Sequence, residues 1–482
     1  MKSILLSILA LCFAISVKAQ NINAADYGFL PTASGMDNQK ALQKAADNGG
    51  TIVIDQPGEY LLGGTVYLGS NTSLIFGNNV KIKKDASNGK FTHVFLNKGA
   101  LTKTYNEHIS IEGLNLIVNG VDQQRKEVYG LRGQVAFFYI KDLRIKHFRC
   151  NDLESAQFCI HICTFEDITV EDAIIKGKKD GIHLGRGKRF TIRDCVFQTK
   201  DDAIALNAHD YATSNPELGY IEDGVIENCY DLRNDNEKVV GYFCRILGGA
   251  WGDWKPGMKV RNSDTVIANG RMYRVQAKAD GTEYVSNTCP THESGSKEVD
   301  GIKWGVVQND VTYSAGVKNV VFRDIFLYKP RPSFSLHFDN DNYSRSYYPG
   351  SVIPTQHNIS MHNVQVLYPE KQNLMLISTP IDLISMHDCK LNNSTISFIG
   401  KEEILKNYQD THINMVGCTF FGKEPVKLIS VSGGVCGKNI TFQSTGSNIM
   451  NDTFKVSTSY GGSKLIIRSD LPGLEKNNCT IN

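Results

Sequence analysis

The sequence lacks an excess of charge of either sign. Its 52 Lys and Arg residues nearly balance 50 Asp and Glu residues, which gives a formal net charge of +2, and no run of like charges occurs. Nucleic acids and anionic membrane surfaces are usually met by basic patches or tails. The charge pattern therefore favours neither nucleic acid nor a membrane as a partner.

Long apolar runs and metal-ligand spacings are also missing. No stretch after the N-terminus is long and apolar enough for a membrane-spanning helix. The 12 cysteines form no CxxC pair and no Cys/His cluster with zinc spacing. The acidic stretch at 339–341 lacks the spacing of an EF-hand. We therefore predict no metal and no other cofactor.

The first residues are typical of a secretory signal peptide. Lys2 precedes a short apolar run at 4–17, and Val17-Lys18-Ala19 has the small-residue pattern of a cleavage site. We expect residues 1–19 to be removed, so that the mature chain begins at Gln20. The predicted location is periplasmic or secreted.

Two neighbouring stretches, 171–187 and 193–209, are nearly copies of each other. Asp180-Gly181-Ile182-His183-Leu184 in the first aligns with Asp202-Ala203-Ile204-Ala205-Leu206 in the second, at a shift of 22 residues. A fixed period of this size is the signature of a repeat architecture, and β-rich repeats of this length are typical of solenoids.

Short alternating segments bounded by Gly, Asn and Asp run through most of the chain and predict strands. We predict an all-β solenoid for 20–482, a parallel β-helix catalytic domain. A short amphipathic helix at 37–47, with Asp37 near its N-cap, is expected to cap the open end. The segment at about 256–312 interrupts the repeat and predicts a small all-β insertion.

Several cysteines occupy the same position of the repeat. They follow an acidic, amide or glycine residue: Cys195, Cys229, Cys389 and Cys418. Disulfides are one interpretation, because an exported protein is found in an oxidising compartment. A ladder of small buried thiols inside the coils is the other.

Three carboxylates are the main candidates for chemistry. Neighbouring coils lie about 4.8 Å apart, so Asp180 and Asp202 are expected to flank the same point, with Asp201 beside them. Repulsion among the three raises at least one pKa, which leaves a protonated acid beside an ionised base. Inverting hydrolysis of a glycosidic bond needs this division. Small Gly181 and Ala203 are expected to leave space for a sugar ring above the sheet.

Other polar and aromatic residues are expected on the same face of the solenoid. Lys179 stacks below Asp201 and Lys200 precedes it, so either could bind an anionic sugar or balance the acidic cluster. The remaining candidates for substrate binding are a repeat-equivalent histidine, two further histidines, one cation and one aromatic residue: His183, His209, His337, Arg245 and Trp251.

The pattern Lys179-Asp180-Gly181-Ile182, followed one coil later by Lys200-Asp201-Asp202-Ala203-Ile204, resembles glycoside hydrolase family 28, the polygalacturonases. The resemblance implies a right-handed parallel β-helix that hydrolyses α-glycosidic bonds in a pectin-like or other acidic polysaccharide. It implies that Asp201 is the general acid and that Asp180 and Asp202 activate water. The family's Gly-His-Gly and Arg-Ile-Lys motifs have no clear counterpart, although Gly241-Tyr242-Phe243 is in the place of the first.

Two alternatives remain open. A polysaccharide lyase on the same fold would use Lys179, Lys200 or Arg245 as the base that removes a proton next to a uronate carboxylate. A non-catalytic glycan-binding protein is the other alternative, because a fold alone does not establish an activity. If the insertion walls one end of the groove, exo action is favoured. The sequence does not predict an oligomeric state.

Overall fold

The computed structural model describes residues 21–123, 127–234, 240–352, 356–399, 410–422, 426–431, 439–449, 454–458, 464–471, 475–477 and 480–481. The predicted signal peptide, 1–19, lies outside the described residues. Within these ranges, no helix is long and apolar enough to cross a membrane.

The chain runs in successive coils whose strands pair in parallel with the coil before and the coil after. One column shows the arrangement: Ile160 pairs with Ile182, Ile182 with Ile204, Ile204 with Cys244, and Cys244 with Phe334. Each of the first two pairings joins residues that are 22 positions apart, which is the shift seen between the near-copies in the sequence. Larger steps occur where a coil carries an extra segment.

The parallel sheet of the described residues has 33 strands. The first nine are Asn21–Asn23, Gly50–Ile54, Gly58–Leu62, Val66–Leu68, Thr72–Phe76, Val80–Lys84, Phe95–Asn97, Asn106–Glu112 and Asn115–Ile117. The next ten are Gly133–Leu153, Phe158–Gly177, Ile182–Leu184, Gly187–Arg193, Val196–Thr199, Ile204–Asn207, Ile221–Asp231, Cys244–Leu247, Val317–Leu327 and Phe334–His337. The last fourteen are His357–Val366, Gln372–Ile377, Leu383–His387, Lys390–Asn392, Ser394–Phe398, Thr411–Val416, Thr419–Phe421, Val426–Val431, Asn439–Thr445, Asn448–Ile449, Phe454–Thr458, Lys464–Ser469, Glu475–Asn477 and Thr480–Ile481.

Corners with a left-handed backbone recur at fixed positions of the coil. One such column runs through seven consecutive coils at one position of the strand register. Most of its members are acidic or amide residues, which tolerate a positive φ. Its members are His108, Asp142, Asp167, Arg189, Asp223, Asn319 and Asn358. The Asn and Asp residues that recur in the repeats of the sequence therefore mark corners where the backbone is left-handed.

The interior of the coils is filled by aliphatic and aromatic side chains in register. Ile192, Ile226 and Phe322 stack in consecutive coils and are fully buried. The four cysteines of the repeat position are buried free thiols in this interior. Burial of such columns along the whole length stabilises a coil only when its neighbours are present.

One α-helix, Gly35–Ala46, occurs among the described residues, together with 3-10 turns at Ala24–Tyr27 and Lys98–Leu101. Its N-cap is Ser34, whose side chain accepts a hydrogen bond from the backbone N–H of Asp37. Asp37 thus lies in the first turn and not at the cap, where its charge favours the helix dipole. The helix packs on the strands Gly58–Leu62 and Val66–Leu68.

A separate group of strands lies between Leu247 and Val317. Gly249–Ala250 and Ser314–Ala315 pair antiparallel and form the neck of this segment. Beyond the neck a five-stranded sheet and a two-stranded sheet make the module at 252–308, which we call the inserted module. Its strands are Gly252–Asp253, Thr265–Ala268, Arg271–Val275, Ile302–Gln308, Ser296–Val299, Met258–Val260 and Tyr284–Ser286. Val266, Tyr273 and Trp304 form part of its own small core.

The columns make a clear prediction about stability. Ile226→Ala removes a fully buried side chain between two neighbours of its column and should lower the free energy of unfolding by about 2–5 kcal/mol. Val225→Ala, one residue earlier on the outer face, is the matched control and should change it by about 0.5 kcal/mol or less. Thermal unfolding followed by circular dichroism measures both. Equal losses in the two variants would contradict the inward orientation of Ile226.

Candidate active site

The coil register brings Asp180 and Asp202 to the same edge of adjacent coils. The Gly181 N–H donates to the backbone carbonyl of Asp202 at 2.9 Å, which fixes the two turns against each other. One carboxylate oxygen from each of Asp180, Asp201 and Asp202 lies within 4.8 Å of the others. We call these three side chains the carboxylate cluster.

The three carboxylates differ in their access to solvent. Asp180 and Asp202 are 3% and 2% exposed, whereas the side chain of Asp201 keeps 22% of its surface exposed. The Asp202 carboxylate accepts a hydrogen bond from the backbone N–H of Tyr242 at 2.8 Å. Asp201 is therefore the most solvent-accessible member of the cluster, and the other two are buried.

A lysine provides the positive charge inside the carboxylate cluster. The Lys179 ammonium donates to Asp201 and lies 3.6 Å from Asp180. It also lies 5.8 Å from the centre of the Phe158 ring, which lines the same side. Three carboxylates this close also resemble the donor set of a divalent cation, but the ammonium already supplies charge at this point.

The surroundings of the three carboxylates shift their pKa values in different directions. Burial would raise the pKa of Asp180, but the Lys179 charge and a hydrogen bond from His183 outweigh it and lower this pKa well below the ordinary value. The pKa of Asp201 is raised, first by burial and then by the Asp180 charge. Burial and the same neighbouring charge raise the pKa of Asp202 well above its ordinary value. One carboxylate is thus ionised beside two that hold protons more tightly.

His183 connects the cluster to a second acidic group. Its Nδ1 lies 3.0 Å from Oδ2 of Asp180, and its Nε2 lies 3.4 Å from Oδ2 of Asp210. The imidazole is fully buried and stacks on Phe158, with the ring centres 4.0 Å apart and the planes 9° from parallel. The ring is therefore held from its face and through Nδ1, which fixes the orientation of Asp180, whereas Nε2 lies near Asp210 without a hydrogen bond.

A second polar group lies along the same face, two coils further on. Arg245 occupies the position after His183 and Ala205 in the register, and its guanidinium donates to Asp339 at 2.7 Å. His337 lies 3.4 Å from the same Asp339 oxygen. The Arg245 charge lowers the pKa of Asp339 to about 2 in spite of burial, so this pair is ionic.

Several buried polar atoms on this face have no hydrogen-bond partner among the described residues. Buried polar atoms are nearly always satisfied by protein or by ordered water, so a concentration of unsatisfied atoms indicates a surface built to meet water or a ligand. The atoms concerned are Asp180 Oδ1, His183 Nε2, Asn207 Oδ1, His209 Nδ1, Arg245 Nε and Asp339 Oδ2.

Some candidates from the sequence are placed differently from expectation. Trp251 is 2% exposed and its indole N–H donates to the carbonyl of Thr312, so we assign this ring to packing and not to a sugar platform. His209 is 1% exposed and lies beside the same ring. Lys200 makes no ion pair with the residues that the structure describes.

Gly181 and Ala203 do not open space above the sheet. Ala203 is fully buried in the main core, and a Cβ at Gly181 would lie 2.9 Å from the ring of Phe197. The alternation of inward and outward positions therefore breaks at the turn that precedes each strand. The sequence did not indicate Asp210, because this residue lies beyond the end of its strand. Its neighbour His209 is the residue that the sequence indicates for substrate binding.

Gly241 approaches the cluster so closely that no side chain fits. Its φ is +73°, and a Cβ there would lie 2.6 Å from the backbone N of Asp202 and 2.7 Å from its carboxylate. Glycine at this position lets the coil that contains Tyr242 rest directly on the Asp201–Asp202 peptide. Arg331 supports the same peptide from the other side by donating to the Asp201 carbonyl at 2.8 Å.

The comparisons with known proteins give structural similarities of low identity. An exopolygalacturonase of Thermotoga maritima is 12% identical, with 95% of this chain and 92% of that chain covered and a TM-score of 0.42. A mannuronan C-5 epimerase module of Azotobacter vinelandii is 10% identical, with coverages of 96% and 97% and a TM-score of 0.41. A surface protein and adhesin of Streptococcus pneumoniae is 14% identical, with coverages of 96% and 99% and a TM-score of 0.41.

No protein-family model matches the chain, and no curated protein matches it either. Scores of this size carry no argument about function. The function has to be inferred from the side chains of the site.

The close approach of Gly241 gives a test of the geometry. Gly241→Ala should displace the Asp202 carboxylate and lower kcat about 100-fold or more, because positioning errors near 1 Å have effects of this order. Gly257→Ala is the matched control, since Gly257 has a similar φ of +79° but open space at its Cβ. Both variants suffer the same backbone strain, so equal losses of kcat would contradict a specific role for Gly241. The rates are measured on the glycan that the wild-type protein degrades.

Proposed function

We propose that this protein is an inverting glycoside hydrolase that cleaves α-glycosidic bonds in a polysaccharide. One observation carries the proposal. Asp180, Asp201 and Asp202 lie within 4.8 Å of each other, with the pKa of the first lowered and those of the other two raised. Paired carboxyl groups whose pKa values are pushed apart are the usual arrangement for acid and base roles on a sugar bond.

The scaffold we propose is a right-handed parallel β-helix spanning 20–482, exported after removal of residues 1–19. The parallel register of consecutive coils supports a solenoid. Parallel crossover connections are right-handed in nearly all known cases, which supports the hand. The small all-β insertion at about 256–312 is then a module that projects from one turn of the helix.

Each carboxyl group takes a different role. Asp201 is the most accessible of the three and its pKa is raised, so we assign it as the donor of a proton to the leaving glycosidic oxygen. Asp180 is ionised and accepts a proton from the attacking water, while Asp202 holds this water from the adjacent coil. The three groups titrate as a set, so the roles describe the cluster in its active protonation state.

We assign inversion from the burial of Asp180 and Asp202 and not from the separation of the carboxyl groups. Inverting enzymes usually separate their carboxyl groups by about 6.5–9.5 Å, and retaining enzymes by about 5–5.5 Å. The closest oxygens here are within 4.8 Å, which on this criterion is nearer to retention. However, Asp180 and Asp202 are too deeply buried to reach an anomeric carbon as nucleophiles. A water can fit where a sugar carbon cannot, so we assign inversion.

The substrate we propose is a pectin-like or other acidic polysaccharide. Lys200, which precedes Asp201 in the sequence, makes no ion pair with the described residues, and we propose that it binds an anionic sugar. Lys179 and Arg245 already pair with Asp201 and Asp339. They therefore support the site more than they bind a substrate carboxylate.

The lyase alternative receives less support from the geometry. A lyase needs an unprotonated Lys or Arg as its base. The charges of Asp180 and Asp201 more than offset burial and raise the pKa of Lys179, so this amine stays protonated. The pKa of Arg245 is likewise raised, because the Asp339 charge outweighs burial. Neither of these two groups is suited to remove a proton, which leaves Lys200 as the base that a lyase would use.

The test of the function is a glycan screen with the purified mature chain. Polygalacturonate, rhamnogalacturonan, alginate and arabinogalactan are incubated with wild type, with Asp201→Asn and with Asp223→Asn. New reducing ends should form with at least one glycan, and Asp201→Asn should lower the rate by about 10²–10⁴-fold. Asp223→Asn, an exposed corner residue that faces away from the cluster by register, should keep the wild-type rate.

Other outcomes assign other functions. A new product that absorbs in the ultraviolet would identify a lyase. Binding without turnover in wild type and Asp201→Asn alike would identify a glycan-binding protein. Monosaccharide or disaccharide as the first product supports exo action, whereas random shortening of the glycan counts against it.

The Lys179 charge sets the pH range of activity. Activity requires Asp180 ionised and Asp201 protonated, and Lys179 lowers the pKa of both. Lys179→Met should therefore shift both limbs of the pH profile of kcat/KM to higher pH. Lys178→Met removes an exposed lysine that pairs with Glu154 and should leave the profile unchanged. A downward shift in Lys179→Met would contradict the assigned roles.

A further inference from the structure

Two tyrosines from separate parts of the chain have their rings against each other. Tyr211 belongs to the segment that follows the strand Ile204–Asn207, and Tyr343 lies in a turn after the strand Phe334–His337. Their ring centres are 5.6 Å apart and their planes are inclined by 43°. Tyr343 is 57% exposed, and Tyr211 is half-buried. Neither ring contributes to the main hydrophobic core.

The turn that carries Tyr343 is tightly held. The Asp341 carboxylate accepts hydrogen bonds from the backbone N–H groups of Tyr343 and Ser344, at 2.8 and 2.9 Å. At the base of the turn, Ser346 and Asp339 exchange hydrogen bonds at 2.9 and 3.0 Å. The same Asp339 pairs with Arg245 on the face of the carboxylate cluster. One short hairpin therefore places an exposed aromatic ring at its tip and a site residue at its base.

Tyr211 is joined to the carboxylate cluster from the other side. It follows Asp210, whose carboxylate lies 3.4 Å from His183, and His183 is bonded to Asp180. Burial raises the pKa of the Tyr211 phenol, although the positive charge of Arg245 acts to lower it. The tyrosine pair, Tyr211 and Tyr343, is thus linked to Asp180 through Asp210 and His183, with Tyr343 lying against Tyr211.

The inserted module holds both tyrosine segments through one turn. The Ser263 hydroxyl accepts a hydrogen bond from Ala212 N–H at 2.8 Å and donates to the Tyr343 carbonyl at 3.1 Å. Asn262 donates to the same carbonyl at 2.7 Å. Arg274, fully buried, donates to backbone carbonyls of the Tyr211 segment, including that of Asp210 at 3.4 Å. Ser263 is therefore a single group that fixes the two rings relative to each other.

We propose that the tyrosine pair is a stacking subsite for one pyranose ring of the glycan, next to the cleaved bond, and that the inserted module positions it. The pair offers an exposed aromatic face beside two buried atoms that have no hydrogen-bond partner among the described residues, Arg245 Nε and Asp339 Oδ2. A pyranose ring needs this combination, because one side is apolar and its edge carries hydroxyl groups. The proposal rests on the proposed function, since it assigns a further unit of the same substrate.

The experiment separates binding from turnover. Affinity electrophoresis is run through gels that contain polygalacturonate, rhamnogalacturonan, alginate or arabinogalactan, with Asp201→Asn as the parent so that no glycan is degraded. The parent should be retarded by at least one glycan. Adding Tyr343→Ala should weaken that retardation about tenfold or more, and Tyr343→Phe should keep most of it. Tyr328→Ala is the matched control, because Tyr328 is 39% exposed and lies outside both tyrosine segments.

The role of the inserted module is tested on the same gels. Ser263→Ala in the parent should weaken retardation, and combining it with Tyr343→Ala should give little further loss, because both changes act on one subsite. Ser296→Ala, which removes an exposed hydroxyl bonded to Gln276 in the same module, should leave retardation unchanged. Additive losses from Ser263→Ala and Tyr343→Ala would contradict positioning through Ser263.

The outcomes distinguish this inference from the proposed function. Retardation that is insensitive to Tyr343→Ala, or no retardation of the parent in any gel, overturns the stacking subsite even if wild type hydrolyses a glycan. Retardation that depends on Tyr343 supports the subsite even if the screen finds no hydrolysis. In that case the proposed hydrolysis fails and glycan binding remains.

Discussion

The parallel register of consecutive coils is the constraint on which the rest of this structure depends. It superimposes residues that are 22 positions apart in the sequence, so that Ile160, Ile182 and Ile204 form one buried column. The same register places Asp180 over Asp202 at the edge of the coils. A slip of one residue would move every side chain of a strand to the other face and would separate these two carboxylates. Core packing and site geometry therefore have a common physical origin.

Within that frame, one partly buried ammonium group, that of Lys179, decides how the carboxylates share their protons. Three carboxyl groups so close together would otherwise all have raised pKa values. Lys179 touches Asp201 and lies 3.6 Å from Asp180, and His183 adds a hydrogen bond to Asp180 alone. This asymmetry lowers the pKa of Asp180 while Asp201 and Asp202 remain raised. The difference between one carboxylate with a lowered pKa and two with raised pKa values is thus built by neighbours that differ between adjacent coils.

Much of this could be predicted from the sequence, because a repeat carries its own register. The near-copies at 171–187 and 193–209 were enough to place Asp180, Asp201, Asp202 and Lys179 together. Asp210 could not be placed, since it reaches the site through a turn with no periodic signal. Trp251 was misplaced for a related reason, because sequence alone does not show whether a large aromatic ring after a strand packs inward or faces a ligand. The inward positions of Gly181 and Ala203 were missed because the turn breaks the alternation of the strand.

The measurement that tests the central claim most directly is the protonation state of the cluster itself. Infrared difference spectra of protein with 13C-labelled Asp carboxyl groups, recorded at about pH 6, report protonated carboxyl groups without any knowledge of the substrate. At this pH ordinary Asp side chains are ionised, because their pKa lies about two units lower. The account predicts a protonated carboxyl band in wild type that loses intensity in Asp201→Asn and in Asp202→Asn, and that persists in Asp223→Asn. A spectrum with every Asp ionised, or a band unchanged in both cluster variants, would contradict it.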